Sequence, residues 1–191
     1  MRCFPNLAAL VIVVLAVRVS VQAQAPSYNI GRTATPEEFR AADTAVGPEG
    51  KELPPGSGTA KEGAKIYAQK CSPCHGANGE GTKVAPDLIG GKGTLATPKP
   101  VVTPGSFWPY ATTIWDFINR AMPQNKPRSL TPNEVYALTA FLLYRNDIIQ
   151  EDYVLDDKSL PKVQMPNRNG FVPARPEWER LRKPGPFGVY P

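Results

Sequence analysis

Histidine occurs once in this chain, at position 75, and cysteine three times, at positions 3, 71 and 74. That scarcity removes whole chemistries. A structural zinc site takes a closed tetrahedral set of Cys, His or carboxylate ligands, and after His75 there is no further Cys or His to complete one. Long apolar runs are missing too. The stretch "LAALVIVVLAV" at 7–17 has eleven residues, where a membrane span needs about 20. It follows Arg2 and runs into small residues ending at Val21-Gln22-Ala23. That is the pattern of a secretory signal peptide (residues 1–23) cleaved after Ala23; cleavage after Ala25 would place Pro26 at an unfavourable next position. The expectation is an exported, periplasmic protein with no membrane span after cleavage, which retains only Cys71 and Cys74.

Strong net charge is also absent. The chain has 22 Lys plus Arg against 17 Asp plus Glu, and without Arg2 and Arg18 the balance falls from +5 to about +3. That is too weak to argue for a nucleic-acid partner. Charge is uneven, however. Residues 147–157 hold five acids and no base, whereas residues 158–191 hold seven bases and two acids.

What is present is "CSPCHG" at 71–76. A disulfide across two intervening residues closes too small a loop to constrain the unfolded chain. Thioredoxin-like chemistry places such a pair in a βαβ context, and no βαβ pattern surrounds this one. Cys-x-x-Cys-His is the attachment spacing of covalent haem c, the one reading left by these exclusions.

Prolines organise the rest. Residues 24–57 are polar and rich in Pro and Gly and read as an extended N-terminal arm. Residues 151–191 read as an extended C-terminal arm, with seven prolines after position 157. Between them, 58–150 carries three helix signals. In "TAKEGAKIYAQKC", Thr59 and Glu62 form a capping box. In "TIWDFINRAMP", Thr113 and Asp116 repeat the start signal, Ile114, Phe117, Ile118 and Ala121 give an apolar face, and Pro123 stops the helix. In "TPNEVYALTAFLLYRNDI", Thr131, Pro132 and Glu134 open a helix with a stripe of Val135, Leu138, Phe141 and Leu142. Residues 76–108 show almost no period, and no strand or repeat is visible. Three short helices and a long loop supply little core by themselves; a large flat apolar cofactor would complete it.

A helix running into Cys-x-x-Cys-His-Gly, a Pro-containing loop, a Met-Pro and a terminal helix resembles class I cytochrome c over roughly 58–150. The resemblance implies an all-α class I cytochrome c fold around one covalent haem c, attached at Cys71 and Cys74, with the Pro-rich arms outside it. It also implies a close crossing of the first and last helices at Gly63, Tyr67 and Phe141. His75 becomes the proximal iron ligand, with the Pro86 carbonyl in "APDLIGG" accepting the other ring proton. Of the two remaining methionines, Met122 in "RAMPQN" follows His75 by 47 residues at a helix end, while Met165 in "VQMPN" falls in the C-terminal arm. Met122 is therefore the expected sixth ligand, and thioether ligation raises the potential. Trp108 and Tyr110 match donors that hold a haem propionate in this family.

The arms sharpen the resemblance. "YNIGRTATPEEF", "GSFWPYATTIWDFINRAMP", "EVYALTAFLLYRNDII" and "MPNRNGFVPARPEW" are similar to the SoxD-type cytochrome subunit of sulfite and sulfane dehydrogenases. Some members carry a second cytochrome domain, for which this chain has no second Cys-x-x-Cys-His. The resemblance implies an electron-transfer subunit, with no catalysis of its own. It would accept electrons from a molybdenum-cofactor subunit of the sulfite oxidase kind and pass them to a downstream cytochrome c. The alternatives are a freely diffusing cytochrome c shuttle and, from a different class, a thiol oxidoreductase using Cys71 and Cys74.

Overall fold

The computed structural model describes residues 31–172. The expected signal peptide and the far ends of both arms, with Tyr28, Arg175 and Trp178, lie outside the described residues. The chain divides into a small unit up to Asp43 and a larger one from Thr44. In the small unit, α1 (Pro36–Ala42) starts at a Thr35–Glu38 capping box with Pro36 in its first turn. This helix falls inside the stretch read as an extended arm, although "TPEE" carries its start signal.

The larger unit is helical. α2 (Ala60–Lys70) opens on the Thr59–Glu62 capping box, and α6 (Pro132–Arg145) on the Thr131–Glu134 box, as their sequences predict. Between them lie a single turn α3 (Ser72–His75), a single turn α4 (Pro104–Phe107) and α5 (Ala111–Ala121). Helices α2 and α6 cross at Gly63. A β-carbon there would lie 2.0 Å from the Ala137 carbonyl oxygen and 2.8 Å from Phe141 Cβ. No larger residue fits without separating the helices. One turn on, the Tyr67 and Phe141 rings meet at 4.9 Å between centroids, and Lys70 Nζ reaches Glu134 Oε1 at 2.7 Å.

The start of α5 differs from its predicted position. The helix begins at Ala111, with Tyr110 extended before it and no side-chain cap. Pro109 disfavours helical backbone at Trp108, which sits extended at the end of α4. Asp116 is buried within the helix, not at its start. It accepts the Val46 N–H at 3.0 Å and pairs with Arg120 one turn on. Ile114, Trp115 and Ile118 are buried in the same core cluster as α6, and the Trp115 and Tyr136 rings meet at 5.5 Å.

Residues expected in extended arms lie on this core. Ser57–Gly58 (β1) pairs antiparallel with Leu155–Asp156 (β2), Leu53 is buried, and Tyr136 Oη donates to the Pro54 carbonyl at 2.9 Å. After β2 the chain makes a 3-10 turn at Leu160–Lys162, and Leu155, Leu160, Val163 and Met165 all enter the core. Proline limits regular structure in 151–172 to a two-residue strand and one 3-10 turn, but it does not prevent single apolar side chains from packing. Asn167 Nδ2 then donates to the Phe107 carbonyl at 2.6 Å, and Phe171 sits edge-on to Phe107 at 5.1 Å.

Candidate functional site

The Cys-x-x-Cys-His motif sits where α2 ends. Cys71 is the last-turn cap of α2 and the entry to α3, so the next four residues, ending at His75, make one tight turn. The His75 N–H reaches back to the Cys71 carbonyl at 3.0 Å, and the Gly76 N–H to that of Ser72 at 2.9 Å. Gly76 leaves the turn at φ +84, a conformation L-residues rarely adopt. No disulfide joins the two cysteines; Cys71 is half-buried and Cys74 exposed. Burial pushes the Cys71 thiol up to about 11. A thiol–disulfide nucleophile needs the opposite shift, which disfavours the oxidoreductase reading.

The loop after the motif covers its backbone. Tyr67 Oη donates to the Gly76 carbonyl at 2.9 Å, the Gly81 N–H to that of His75 at 2.8 Å, and Thr82 Oγ1 to that of Cys74 at 2.6 Å. The Leu88 N–H meets the Gly79 carbonyl at 2.8 Å. This wrapping brings Pro86 to the motif. Its carbonyl oxygen lies 2.9 Å from His75 Nδ1. A carbonyl can only accept, so the proton is on Nδ1 and Nε2 keeps its lone pair for a metal. His75 itself is buried.

Cys71, Cys74, His75 and Pro86 are thus drawn together. Met122 caps the end of α5, half-buried against the same core cluster. Met165 lies in that cluster too, more deeply buried than Met122 and not on a free arm. The Trp108 ring meets Phe117 edge-on at 5.6 Å, and the Tyr110 ring lies under the Arg168 guanidinium at 5.2 Å. Two donors were missed by sequence. Trp115 Nε1 and Thr112 Oγ1, one helical turn apart on α5, are buried without a hydrogen-bond partner among the described residues. A lone Trp or Thr in an apolar helix face reads as core, so no pattern marks it in sequence. Buried polar atoms are rarely left unpaired.

These features fit a covalent haem. Two thiols flank a turn that ends in a metal-ready imidazole, and the orphan donors suit an acceptor such as a haem carboxylate or a buried water. Comparison agrees with the geometry. A family model described as cytochrome c matches residues 60–146. A chain in the crystal structure of the sulfane dehydrogenase SoxCD from Paracoccus pantotrophus is 42% identical, with a TM-score of 0.70 over 82% of this chain and 79% of that one. A comparison with curated proteins found no match. The fold and motif define a class I cytochrome c. The chain belongs to the cytochrome c family, carries covalent haem c and serves electron transfer, not catalysis. Among the described residues no helix is long and apolar enough to cross a membrane.

Proposed function

We propose that this protein is the electron-transfer subunit of a periplasmic sulfur dehydrogenase. It would take electrons from a molybdenum-cofactor catalytic subunit and pass them to a downstream cytochrome c. One observation carries the reading. The family domain ends at residue 146, yet the likeness to the SoxCD chain covers 82% of the protein. That share cannot fit within 60–146, so it runs into flanking segments that a small diffusing cytochrome does not need. Export through a cleaved signal at 1–23 supports the periplasmic location.

Within the site, Cys71 and Cys74 would anchor the haem through thioether bonds and His75 Nε2 would bind the iron. Met122, at the end of α5, would supply a thioether as a second iron ligand. Bound there, haem supplies a one-electron carrier. The protein's own part is to hold and tune it. Pro86 fixes the His75 tautomer and raises its basicity as a ligand. Trp108 and Tyr110 would contribute to the haem surroundings, and Trp115 and Thr112 are the better donors for a buried carboxylate, because their polar atoms lack partners.

Co-expression with a molybdenum-cofactor subunit of the sulfite oxidase kind tests the partner. The account expects the two to co-purify in fixed ratio through size-exclusion chromatography at moderate salt. A cytochrome that elutes alone under the same conditions would favour a free shuttle instead.

A further inference from the structure

Asn146 closes α6 and is buried there, and its amide joins that helix to the neighbouring loop. Nδ2 donates to the Leu142 carbonyl of its own helix at 2.8 Å and to the Leu88 carbonyl across the gap at 3.1 Å. Oδ1 accepts the Gly90 N–H at 2.9 Å. Leu88 and Gly90 present an acceptor and a donor to the same side chain, and a planar amide meets both. A carboxylate would satisfy only Gly90, and an aliphatic side chain neither.

The anchored loop begins at Pro86. Its ring locks φ, so the direction of its carbonyl depends on ψ alone, and ψ depends on where Asp87 and Leu88 run. Leu88 is held from two sides, by the Gly79 carbonyl at 2.8 Å and by Asn146. The Pro86 carbonyl in turn receives the His75 Nδ1 proton at 2.9 Å. A continuous path of hydrogen bonds and stiff backbone therefore joins the end of α6 to the imidazole.

We propose that Asn146 is a positioning residue for the haem-binding histidine. By pinning Leu88 and Gly90 to α6, it keeps the Pro86 carbonyl on the His75 proton and sets the electron density the imidazole offers to iron. This rests on the reading of His75 as an iron ligand. A firm Nδ1–H···O bond makes the imidazole a stronger donor and favours the oxidised metal; loosening it shifts the balance towards the reduced form.

The test uses the full-length haem-loaded protein carrying Asn146→Ala. Two quantities are read: the reduction potential, and hydrogen exchange of the His75 Nδ1–H by NMR in the reduced state. The potential should rise, and exchange should quicken by about fivefold or more, the factor one weakened neutral hydrogen bond represents. Tyr136→Phe is the control, removing a bond of similar strength at Pro54. It should lower the melting temperature and leave both readings unchanged. If Asn146→Ala does not accumulate with haem, Asn146→Asp, which keeps the Gly90 contact and loses the Leu88 one, decides by the exchange reading alone, because its added charge shifts the potential by itself. Lower thermal stability with unchanged potential and exchange would overturn the inference alone. A wild-type protein in which NMR shows no iron-ligated histidine would overturn the ligation reading, and this inference with it.

Discussion

Cys71 opens the single helical turn that carries Cys74 and ends at His75, so the three residues of the motif share one short element. Replacing both cysteines with Ser should abolish haem that survives denaturing electrophoresis, whereas either single replacement should leave one thioether. A heme stain that persists in the double variant would contradict covalent attachment. Axial ligation is a separate claim at this scale. Under the proposal, Met122→His keeps a six-coordinate haem but lowers the potential by on the order of 0.2 V, inside the roughly 0.8 V that axial ligands span. Met165→Leu should change neither the potential nor the sulfur-to-iron absorption band, since Met165 is a core packing residue beside Leu160 and Val163. Loss of that band in Met165→Leu alone would reassign the ligand. The motif of Cys71, Cys74 and His75 was legible because chemistry limits the choice: the chain has a single histidine, and it follows the Cys-x-x-Cys pair directly. Trp115 was not, because whether an indole N–H finds a partner depends on what folds over it.

Among the elements, the crossing of α2 and α6 puts two effects in direct opposition. Helix propensity says Gly63→Ala should gain about 1 kcal/mol. The new methyl would meet a backbone oxygen at 2.0 Å, and overpacking of that kind costs about 1–3 kcal/mol or more. Backbone cannot swing aside as a flexible side chain can, so the clash wins and the variant should be less stable in thermal or denaturant unfolding. A stabilised Gly63→Ala would mean that the helices cross further apart. The same crossing should weaken in acid. The Lys70 ammonium beside Glu134 holds its carboxyl below the usual glutamate range. A carboxyl lowered in the folded state adds stability that is present above the unfolded value of about 4.3 and is lost as pH falls through the folded one. Glu134→Gln should remove that part of the acid dependence and leave neutral-pH stability changed by only about 1 kcal/mol or less, because the pair is partly exposed. Capping boxes made α2 and α6 readable from sequence. The same signal at Thr113 and Asp116 misled, since Asp116 turned inward to the Val46 backbone and Arg120, a choice set by tertiary contact and not by local spacing.

For the whole molecule, the segment after α6 has two parts with different consequences. Residues 151–172 belong to the folded body, with Leu155 and Leu160 fully buried. Leu160→Ala should therefore cost about 2–5 kcal/mol, and deletion from residue 159 onward should destabilise the cytochrome itself. A truncation from residue 173 onward leaves Leu155, Leu160, Val163 and Met165 in place, so it tests partner binding with those core side chains retained. Sequence pattern missed this docking because Leu155, Leu160, Val163 and Met165 share no helical or strand period; only the fold brings them together. The central claim is that this haem is the electron exit of a molybdenum-dependent sulfur dehydrogenase. Its most direct test is optical: oxidised cytochrome is mixed with a reduced sulfur substrate, with and without the molybdenum subunit, and the haem absorption is followed in time. The account predicts prompt reduction of the haem only when both the catalytic subunit and the substrate are present. A catalytic subunit that turns over its substrate with an artificial acceptor, yet leaves this haem oxidised, would contradict it.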